Sequence, residues 1–177
     1  IKTTLISGPT KLKYDNEIKV KKIVTGKQML EAVKKKLPTD IAVCAAAVSD
    51  FKPISFERNK IKKKQINEIK IEKNPDILSF LGKNNRFRPK LLIGFSAETE
   101  NLIKNSKTKM QEKYCDMIIA NDVSKKDTGF HSDYNEVLII DKNGKIEKVQ
   151  KNSKKFIASI IAKKIVDTFL SNEKNLN

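Results

Sequence analysis

The sequence predicts an α/β protein with an open, mostly parallel sheet, helices on both faces and a late β-hairpin. Three short apolar runs, Ile41–Ala47, Leu91–Phe95 and Asp116–Ala120, suit strands better than buried helices. Amphipathic stretches separate the runs, and this alternation favours parallel strands with helical crossovers. No internal repeat divides the 177 residues, so we expect a single domain over residues 1–170.

The N-terminal half begins with two short strands and a helix. Thr3–Ser7 is rich in β-forming residues and ends at a Gly-Pro pair, and Val20–Val24 is the second strand candidate. Thr25 is suited to cap a helix that runs to Lys36. The remainder is predicted as a central strand covered on both faces (Ile41–Ala47), a long loop (Val48–Gln65) and an alternating strand (Glu68–Glu72).

The second half begins with a helix start at Asn74-Pro75-Asp76. Asn is a good cap, Pro fits the first turn, and Asp favours the positive end of the dipole. This helix is expected to end at Gly82. The later elements are a helix over 98–114 with Leu102, Ile103, Met110 and Tyr114 inward, a hairpin around Asn143-Gly144, a helix over Ser153–Leu170 and a frayed tail over 171–177.

Composition excludes several classes of function. The net charge is +16, but only three of the 37 basic residues are arginines, which weakens a nucleic-acid interpretation. No apolar run approaches a membrane span, and no secretory signal is visible, so we expect a cytoplasmic protein without membrane contact. Cys44, Cys115 and the single histidine, His131, are too few for a zinc cluster, and a histidine-based triad is not expected.

Two motifs are predicted to lie at the carboxyl ends of strands, where open α/β sheets bind ligands. Ala45–Asp50 reads AAAVSD, whose small residues would let a flat ring approach the backbone while Asp50 holds a ribose hydroxyl or a metal. Phe95 ends the next strand and could stack on a nucleobase. The same residues also fit a packed strand with a turn and a core phenylalanine.

Three further motifs offer positive charge or free N–H groups. Lys60 opens a KIKK cluster on the predicted loop, and Lys109 and Lys113 share a helix face where a phosphate chain would fit. Asn74–Ile77 offers backbone N–H groups at a helix start. Solvated lysines and an ordinary cap explain each motif equally well by itself. The chain has no Walker motif and no G-x-G-x-x-G fingerprint.

The order of these motifs is more specific than any one of them. The series AAAVSDFKP, KIKK, NPDIL, GFSAETEN, K-x-x-x-K, IANDV and F-x-SD-x-N-x-V resembles phosphopantothenoylcysteine synthetase, that is, phosphopantothenate–cysteine ligase. More narrowly, it resembles the ligase half of bacterial bifunctional coenzyme A biosynthesis flavoproteins. The resemblance runs from about Thr3 to the last helix and implies a Rossmann-like fold.

The resemblance implies a two-step reaction. CTP activates 4′-phosphopantothenate as an acyl-cytidylate with release of pyrophosphate, and L-cysteine then displaces CMP. Eukaryotic relatives prefer ATP, whereas KIKK followed by GFSAETEN resembles the CTP-using pattern. Lysines and Mg²⁺ stabilise the departing pyrophosphate without a histidine.

The resemblance also implies roles for particular residues, carried over by motif. Lys60 would neutralise the triphosphate and support turnover, and Asp50 would face the nucleotide or its Mg²⁺. The other implied nucleotide-binding residues are Ala46 and Ala47 with Phe95 around cytosine, Asn74, Pro75, Asp76 and Ile77 as a contacting loop, and Lys109 and Lys113 on the phosphates.

One departure from the family concerns the start of the chain. The family's first strand and helix, which carry a GGTREPID-like loop and an N-x-SSG segment, have no counterpart here. We therefore expect an N-terminally incomplete ligase domain that binds CTP, and its activity alone stays open. The resemblance further implies a homodimer and a flavin decarboxylase half in the same polypeptide, with no FMN in this domain.

Two other classes of function stay open from the residues alone. A basic nucleic-acid-binding module would bind with a steep salt dependence and no nucleotide selectivity. An NAD(P)-binding protein on a similar sheet would be protected by NADPH rather than by CTP.

Overall fold

The computed structural model describes residues 1–55, 59, 68–84, 86–124 and 132–175. The chain forms two compact units: the first comprises Ile1–Lys36 and Ala46–Ile77, and the second comprises Leu37–Ala45 and Leu78–Asn177. A single domain over residues 1–170 stays a prediction. The elements are β1 (Thr4–Ser7), β2 (Lys19–Lys22), α1 (Gly26–Lys34), β3 (Ile41–Cys44), β4 (Phe51–Pro53), β5 (Ile71–Lys73), α2 (Ile77–Lys83), β6 (Leu91–Glu98), α3 (Leu102–Glu112), β7 (Met117–Asp122), β8 (Tyr134–Asp141), β9 (Ile146–Ser153) and α4 (Lys154–Lys174).

The first unit contains two small sheets and one helix. β1 and β2 pair in parallel, and β4 and β5 pair antiparallel. β4 interrupts the predicted loop over Val48–Gln65. β5 begins three residues later than the predicted strand over Glu68–Glu72 and ends one residue later. Thr25 caps α1 as predicted: its hydroxyl accepts from the Gln28 N–H, and the Gln28 side chain accepts from the Thr25 N–H.

The second unit is built on a five-stranded sheet in the order β3-β6-β7-β8-β9. β3, β6 and β7 are parallel, whereas β8 and β9 form an antiparallel hairpin, so this sheet is mixed. The predicted α/β class is confirmed. Gly144, with φ of 81°, closes the hairpin predicted at Asn143-Gly144.

The prediction of a central, fully covered strand over Ile41–Ala47 is wrong for the sheet that the structure describes. β3 ends at Cys44 and pairs only with β6 there, which makes it an edge strand. Val43 is 49% exposed, and the three alanines that follow β3 are exposed. An apolar run indicates a strand, but which strands flank it depends on distant segments.

The core of the second unit lies between the sheet and α4. β6 and β7 form where the apolar runs predict strands, and most of their residues are buried on both faces. Ile157, Ile161 and Ile165 recur every four residues along α4 and pack against the same core. None of the helices in the described part of the chain has the length and apolar content needed to span a bilayer.

The helix predicted over 98–114 is shorter than expected. β6 continues to Glu98, and α3 begins only at Leu102, after Asn101 in the left-handed conformation. Ile103, predicted to face inward, is 43% exposed. Tyr114, also predicted to face inward, lies beyond the helix with φ of 54° and 58% exposure. Met110 is buried as predicted and Leu102 is half-buried, whereas Ser106 is a buried position that the prediction did not include.

Two other helix boundaries differ from the prediction. α2 begins at Ile77, three residues after the predicted cap Asn74, and it contains Gly82 rather than ending before it. α4 extends to Lys174, so the predicted frayed tail is wrong for residues 171–174. An ion pair of 3.1 Å between Glu173 and Lys90 holds this last turn.

Candidate functional site

The turn after β3 carries three of the predicted site residues. We call residues Ala46–Asp50 the Asp50 turn. Ala46, Ala47 and Asp50 are all exposed, as a ligand contact requires. Within the turn, the Val48 N–H donates to the Ala46 carbonyl at 3.1 Å.

Asn74 is joined to the Asp50 turn by several hydrogen bonds. Its side-chain amide donates to the Ser49 carbonyl at 2.8 Å and makes a longer contact of 3.5 Å with the Phe51 carbonyl. Its backbone N–H donates to the Asp50 carbonyl at 2.8 Å. The structure therefore brings two of the predicted motifs together, although they are 25 positions apart in the chain.

The start of α1 lies against the same residues. A Cβ atom built on Gly26 would lie 3.1 Å from Cγ1 of Val48 and 3.6 Å from Cγ of Asn74. The absence of a side chain at Gly26 thus allows close packing at this point. Sequence reasoning missed this contact, because it joins three segments that are distant in the chain.

The remaining residues of the NPDI motif are placed differently from one another. Pro75 is half-buried and Asp76 is exposed. Ile77 is buried, so its side chain contributes to packing and only its backbone is suited to contact a ligand.

Phe95 lies in the second unit on the face of β6 that packs against α4. It is half-buried at the margin of the core. It lines an open groove of about 380 Å³ whose walls are mostly aliphatic, with Lys154 and Asn135 as its polar residues. The Phe95 ring thus packs against the core and also has an accessible face, two arrangements that the sequence left as alternatives. Stacking of the ring on a base stays a prediction.

The GFSAETEN motif also forms a hydrogen-bonded network that sequence reasoning missed. Ser96, only 2% exposed, donates to Oε1 of Glu98 at 2.6 Å, and the Asn105 amide donates to Oε2 of Glu98 at 3.2 Å. The same amide donates to the Glu100 carbonyl at 3.1 Å. This network fixes the connection from β6 to α3. The alternation of Ser96 and Glu98 on one strand face was the available signal.

Lys109 and Lys113 lie in the last turn and at the C-cap of α3, and both are half-buried. Their positions four residues apart at one end of the helix agree with the predicted shared face. This end of α3 lies by the amino ends of β6 and β7, because Asp116, just beyond it, donates its N–H to the Leu92 carbonyl at 2.9 Å. These two lysines are therefore not at the carboxyl ends of the strands.

An ion pair fastens the segment after these lysines. Nη2 of Arg88 lies 3.0 Å from Oδ2 of Asp116 and donates to the Tyr114 carbonyl at 2.7 Å. The same carboxylate oxygen accepts from the Leu92 N–H at 2.7 Å. Since the Asp116 side chain is mostly buried, these bonds hold the α3–β7 connection in place.

Cys115 does not have the surroundings of a reactive thiolate in this structure. Burial raises the pKa of Cys115 to about 12, and the neighbouring Cys44 thiol adds to the rise. A thiol with that pKa stays protonated at neutral pH and is a poor nucleophile. Cys115 is therefore unsuited to act as a nucleophile.

Lys60, the predicted catalytic residue, lies outside the described residues, as does the rest of the KIKK cluster. Asp50 is the predicted Mg²⁺ ligand, and within the described residues no group of three or more His, Cys, Asp or Glu side chains is arranged to hold a metal ion. One exposed carboxylate fits Mg²⁺ that arrives with substrate phosphates, because that ion often keeps only one or two protein ligands.

The fold and these residues define an α/β protein with an exposed, hydrogen-bonded turn after one strand and an accessible phenylalanine on another. The model of the DNA/pantothenate metabolism flavoprotein C-terminal domain family matches residues 1–169, and the chain belongs to this family.

Individual relatives agree with this assignment. The chain is 39% identical over 164 residues to the coenzyme A biosynthesis bifunctional protein CoaBC of Borreliella burgdorferi, covering 90% of this chain and 40% of that protein. It is 36% identical over 167 residues to a cysteine/cysteine sulfinic acid decarboxylase from an unknown prokaryotic organism, covering 92% and 46% of the two chains. The chain thus spans less than half of either relative.

A solved structure is similar over almost the whole chain. The crystal structure of the C-terminal domain of the coenzyme A biosynthesis bifunctional protein CoaBC superposes with a TM-score of 0.77 at 30% sequence identity. The match covers 97% of this chain and 76% of that one.

Proposed function

We propose that this chain is the ligase domain of a coenzyme A biosynthesis protein and joins 4′-phosphopantothenate to L-cysteine at the expense of CTP. The observation that carries the proposal is the contact between Asn74 and the Asp50 turn, which brings together two motifs of the ligase pattern. Family membership over residues 1–169 supports it.

The proposed chemistry has two steps. In the first, a carboxylate oxygen of 4′-phosphopantothenate attacks the α-phosphorus of CTP, and the bond to the β-phosphate oxygen breaks to release pyrophosphate. In the second, the amine of cysteine attacks the acyl carbon, a C–N bond forms, CMP leaves, and the amine loses a proton. Negative charge develops on the leaving phosphates in both steps, so nearby cations accelerate them.

The first unit contributes the Asp50 turn to nucleotide binding. The backbone of Ala46 and Ala47 recognises cytosine, and small residues allow the base to come close. Asp50 binds the nucleotide or the Mg²⁺ that accompanies it, and Mg²⁺ supplies charge neutralisation of the phosphates. The backbone of Asn74–Ile77 contacts the nucleotide, and Lys60 neutralises the triphosphate.

The second unit contributes Phe95, Lys109 and Lys113. Phe95 offers the exposed part of its ring for stacking on the base. Lys109 and Lys113 lie four residues apart at one end of α3, and the resemblance assigns both ammonium groups to the phosphates of the nucleotide.

The resemblance extends the proposal to the assembly in which the domain works. The domain forms a homodimer in the cytoplasm, and a flavin-dependent decarboxylase half belongs to the same polypeptide. The late strands around 135–140 and the Asn143-Gly144 hairpin lie near the dimer interface.

Nucleotide selectivity tests the proposal. Thermal midpoints are measured with Mg²⁺ and equal concentrations of CTP, ATP, UTP or NADPH, because a ligand that binds only the folded state raises the midpoint. We expect CTP to raise it more than the other three. An equal response to all four, or a preference for NADPH, would contradict the proposal.

A further inference from the structure

We propose that Asn74 is a positioning residue, whose side-chain amide fixes the backbone of the Asp50 turn before the nucleotide binds. This inference rests on the proposed function, because it concerns the turn that is assigned to CTP. It gives the side chain of Asn74 a role different from that of a helix cap or a direct ligand.

The hydrogen bonds reach three consecutive residues. The Asn74 side chain donates to the Ser49 carbonyl at 2.8 Å and lies 3.5 Å from the Phe51 carbonyl oxygen. Its backbone N–H donates to the Asp50 carbonyl, also at 2.8 Å. One residue therefore holds the backbone on both sides of the Asp50 Cα atom.

The Asp50 turn depends on such support, because regular structure does not hold it. Ala46 and Ala47 are exposed and lie between the end of β3 and the start of β4. A ligand binds more weakly to a turn that must become ordered during binding, because ordering the turn costs free energy. A turn that is ordered beforehand avoids this cost. The hydrogen bonds from Asn74 supply that order in the free protein.

The geometry excludes capping as the explanation for this side chain. α2 begins at Ile77, three residues beyond Asn74, and the amide nitrogen donates to the turn. The start of α1 lies close to this side chain on another side, because a Cβ atom built on Gly26 would be 3.6 Å from both Cγ and Oδ1 of Asn74. The side chain thus lies between α1 and the turn, and its hydrogen bonds go to the turn side.

Asn74→Asp is the test variant. It keeps the size of the side chain, removes both N–H donors and places a carboxylate against carbonyl oxygens. Asn143→Asp is the matched control, since residue 143 is exposed in a hairpin turn where Asp-Gly is as suitable as Asn-Gly. We measure the Kd for CTP with Mg²⁺ by calorimetry, and we measure folding by circular dichroism.

We expect CTP to bind the Asn74→Asp variant at least tenfold more weakly than the parent chain, and the Asn143→Asp variant within twofold of it. A second measurement on the unmodified chain does not depend on how the variants fold. In an amide-exchange spectrum without nucleotide, the side-chain NH₂ protons of Asn74 should exchange more slowly than those of Asn143.

Two results would overturn the positioning role alone: a folded Asn74→Asp variant with the parent's Kd, or Asn74 amide protons that exchange as fast as those of Asn143. A parent chain that does not bind CTP overturns the proposed function and the positioning role with it. The two failures are therefore distinguishable.

Discussion

Gly82 is the position where one added methyl group should disturb the second unit most directly. It lies inside α2, and a Cβ atom at this position would be 1.8 Å from the Lys113 carbonyl oxygen and 2.9 Å from its carbon. Both atoms belong to the backbone, so no side-chain rotation relieves the overlap. The two segments would have to separate by about 1 Å or more in a densely packed region.

The expected cost of Gly82→Ala follows from two opposing effects. Overpacking of this kind costs about 3 kcal/mol. Replacing glycine by alanine inside a helix returns about 1 kcal/mol. We therefore expect a net loss of about 2 kcal/mol, which corresponds to a fall of about 4–8 °C in Tm for a chain of this length.

Thermal and urea unfolding measure this loss, with Gly8→Ala as the control. A Cβ atom at Gly8 would have no neighbour within 4 Å, so the control should keep the Tm of the parent chain or raise it slightly. A Tm for Gly82→Ala equal to that of the control would refute the close contact between α2 and the end of α3.

Three further predictions concern single residues. Asp116→Ala should lower the free energy of unfolding by about 3 kcal/mol, because it leaves Arg88 without its carboxylate partner. A urea titration measures this loss, and a value below about 1 kcal/mol would contradict the prediction. Stability should fall as pH rises from about 9 to about 12, because the Cys115 thiol ionises only in the unfolded chain over that range. In the Cys115→Ala variant this part of the fall in stability with pH should disappear. An unchanged dependence of stability on pH would contradict the prediction. Lys113→Gln should weaken CTP binding about tenfold, as measured by calorimetry. Lys104→Gln, on the exposed side of α3, should leave CTP binding unchanged. Equal effects of the two substitutions would argue against a phosphate contact at Lys113.

Local signals were sufficient for much of the fold. The capping box at Thr25 and the Asn143-Gly144 hairpin are set by residues close in sequence, and the structure confirms both. The apolar runs over 91–95 and 116–120 correctly predicted the strands β6 and β7. In each case the determining interactions lie within a few residues of one another or within one strand.

Contacts between segments that are distant in the chain could not be predicted from the sequence. The edge position of β3 depends on which strands pair with it, and its own sequence does not contain that information. The reason for a glycine at position 82 is the carbonyl of Lys113, about thirty residues later. The local pattern at Asn74 favours a helix cap, whereas its actual partners are Ser49 and its neighbours in the Asp50 turn.

For the candidate site, sequence order located the residues without fixing their roles. The motifs named Asn74 and Asp50 as separate candidates, and the structure joins their segments by hydrogen bonds, whereas their contacts with a nucleotide stay predictions. The internal network of Ser96, Glu98 and Asn105 was not predicted, because it joins the end of β6 to a residue in α3.

The most direct test of the ligase assignment is to trap the first half of the reaction. The full-length protein that carries this domain is mixed with Mg²⁺, CTP and 4′-phosphopantothenate without cysteine, and the products are followed by mass spectrometry and a pyrophosphate assay. The account predicts the acyl-cytidylate of 4′-phosphopantothenate together with pyrophosphate, and its conversion to CMP and 4′-phosphopantothenoylcysteine once cysteine is added. Binding of both substrates, shown by calorimetry, with no acyl-cytidylate and no pyrophosphate would contradict it.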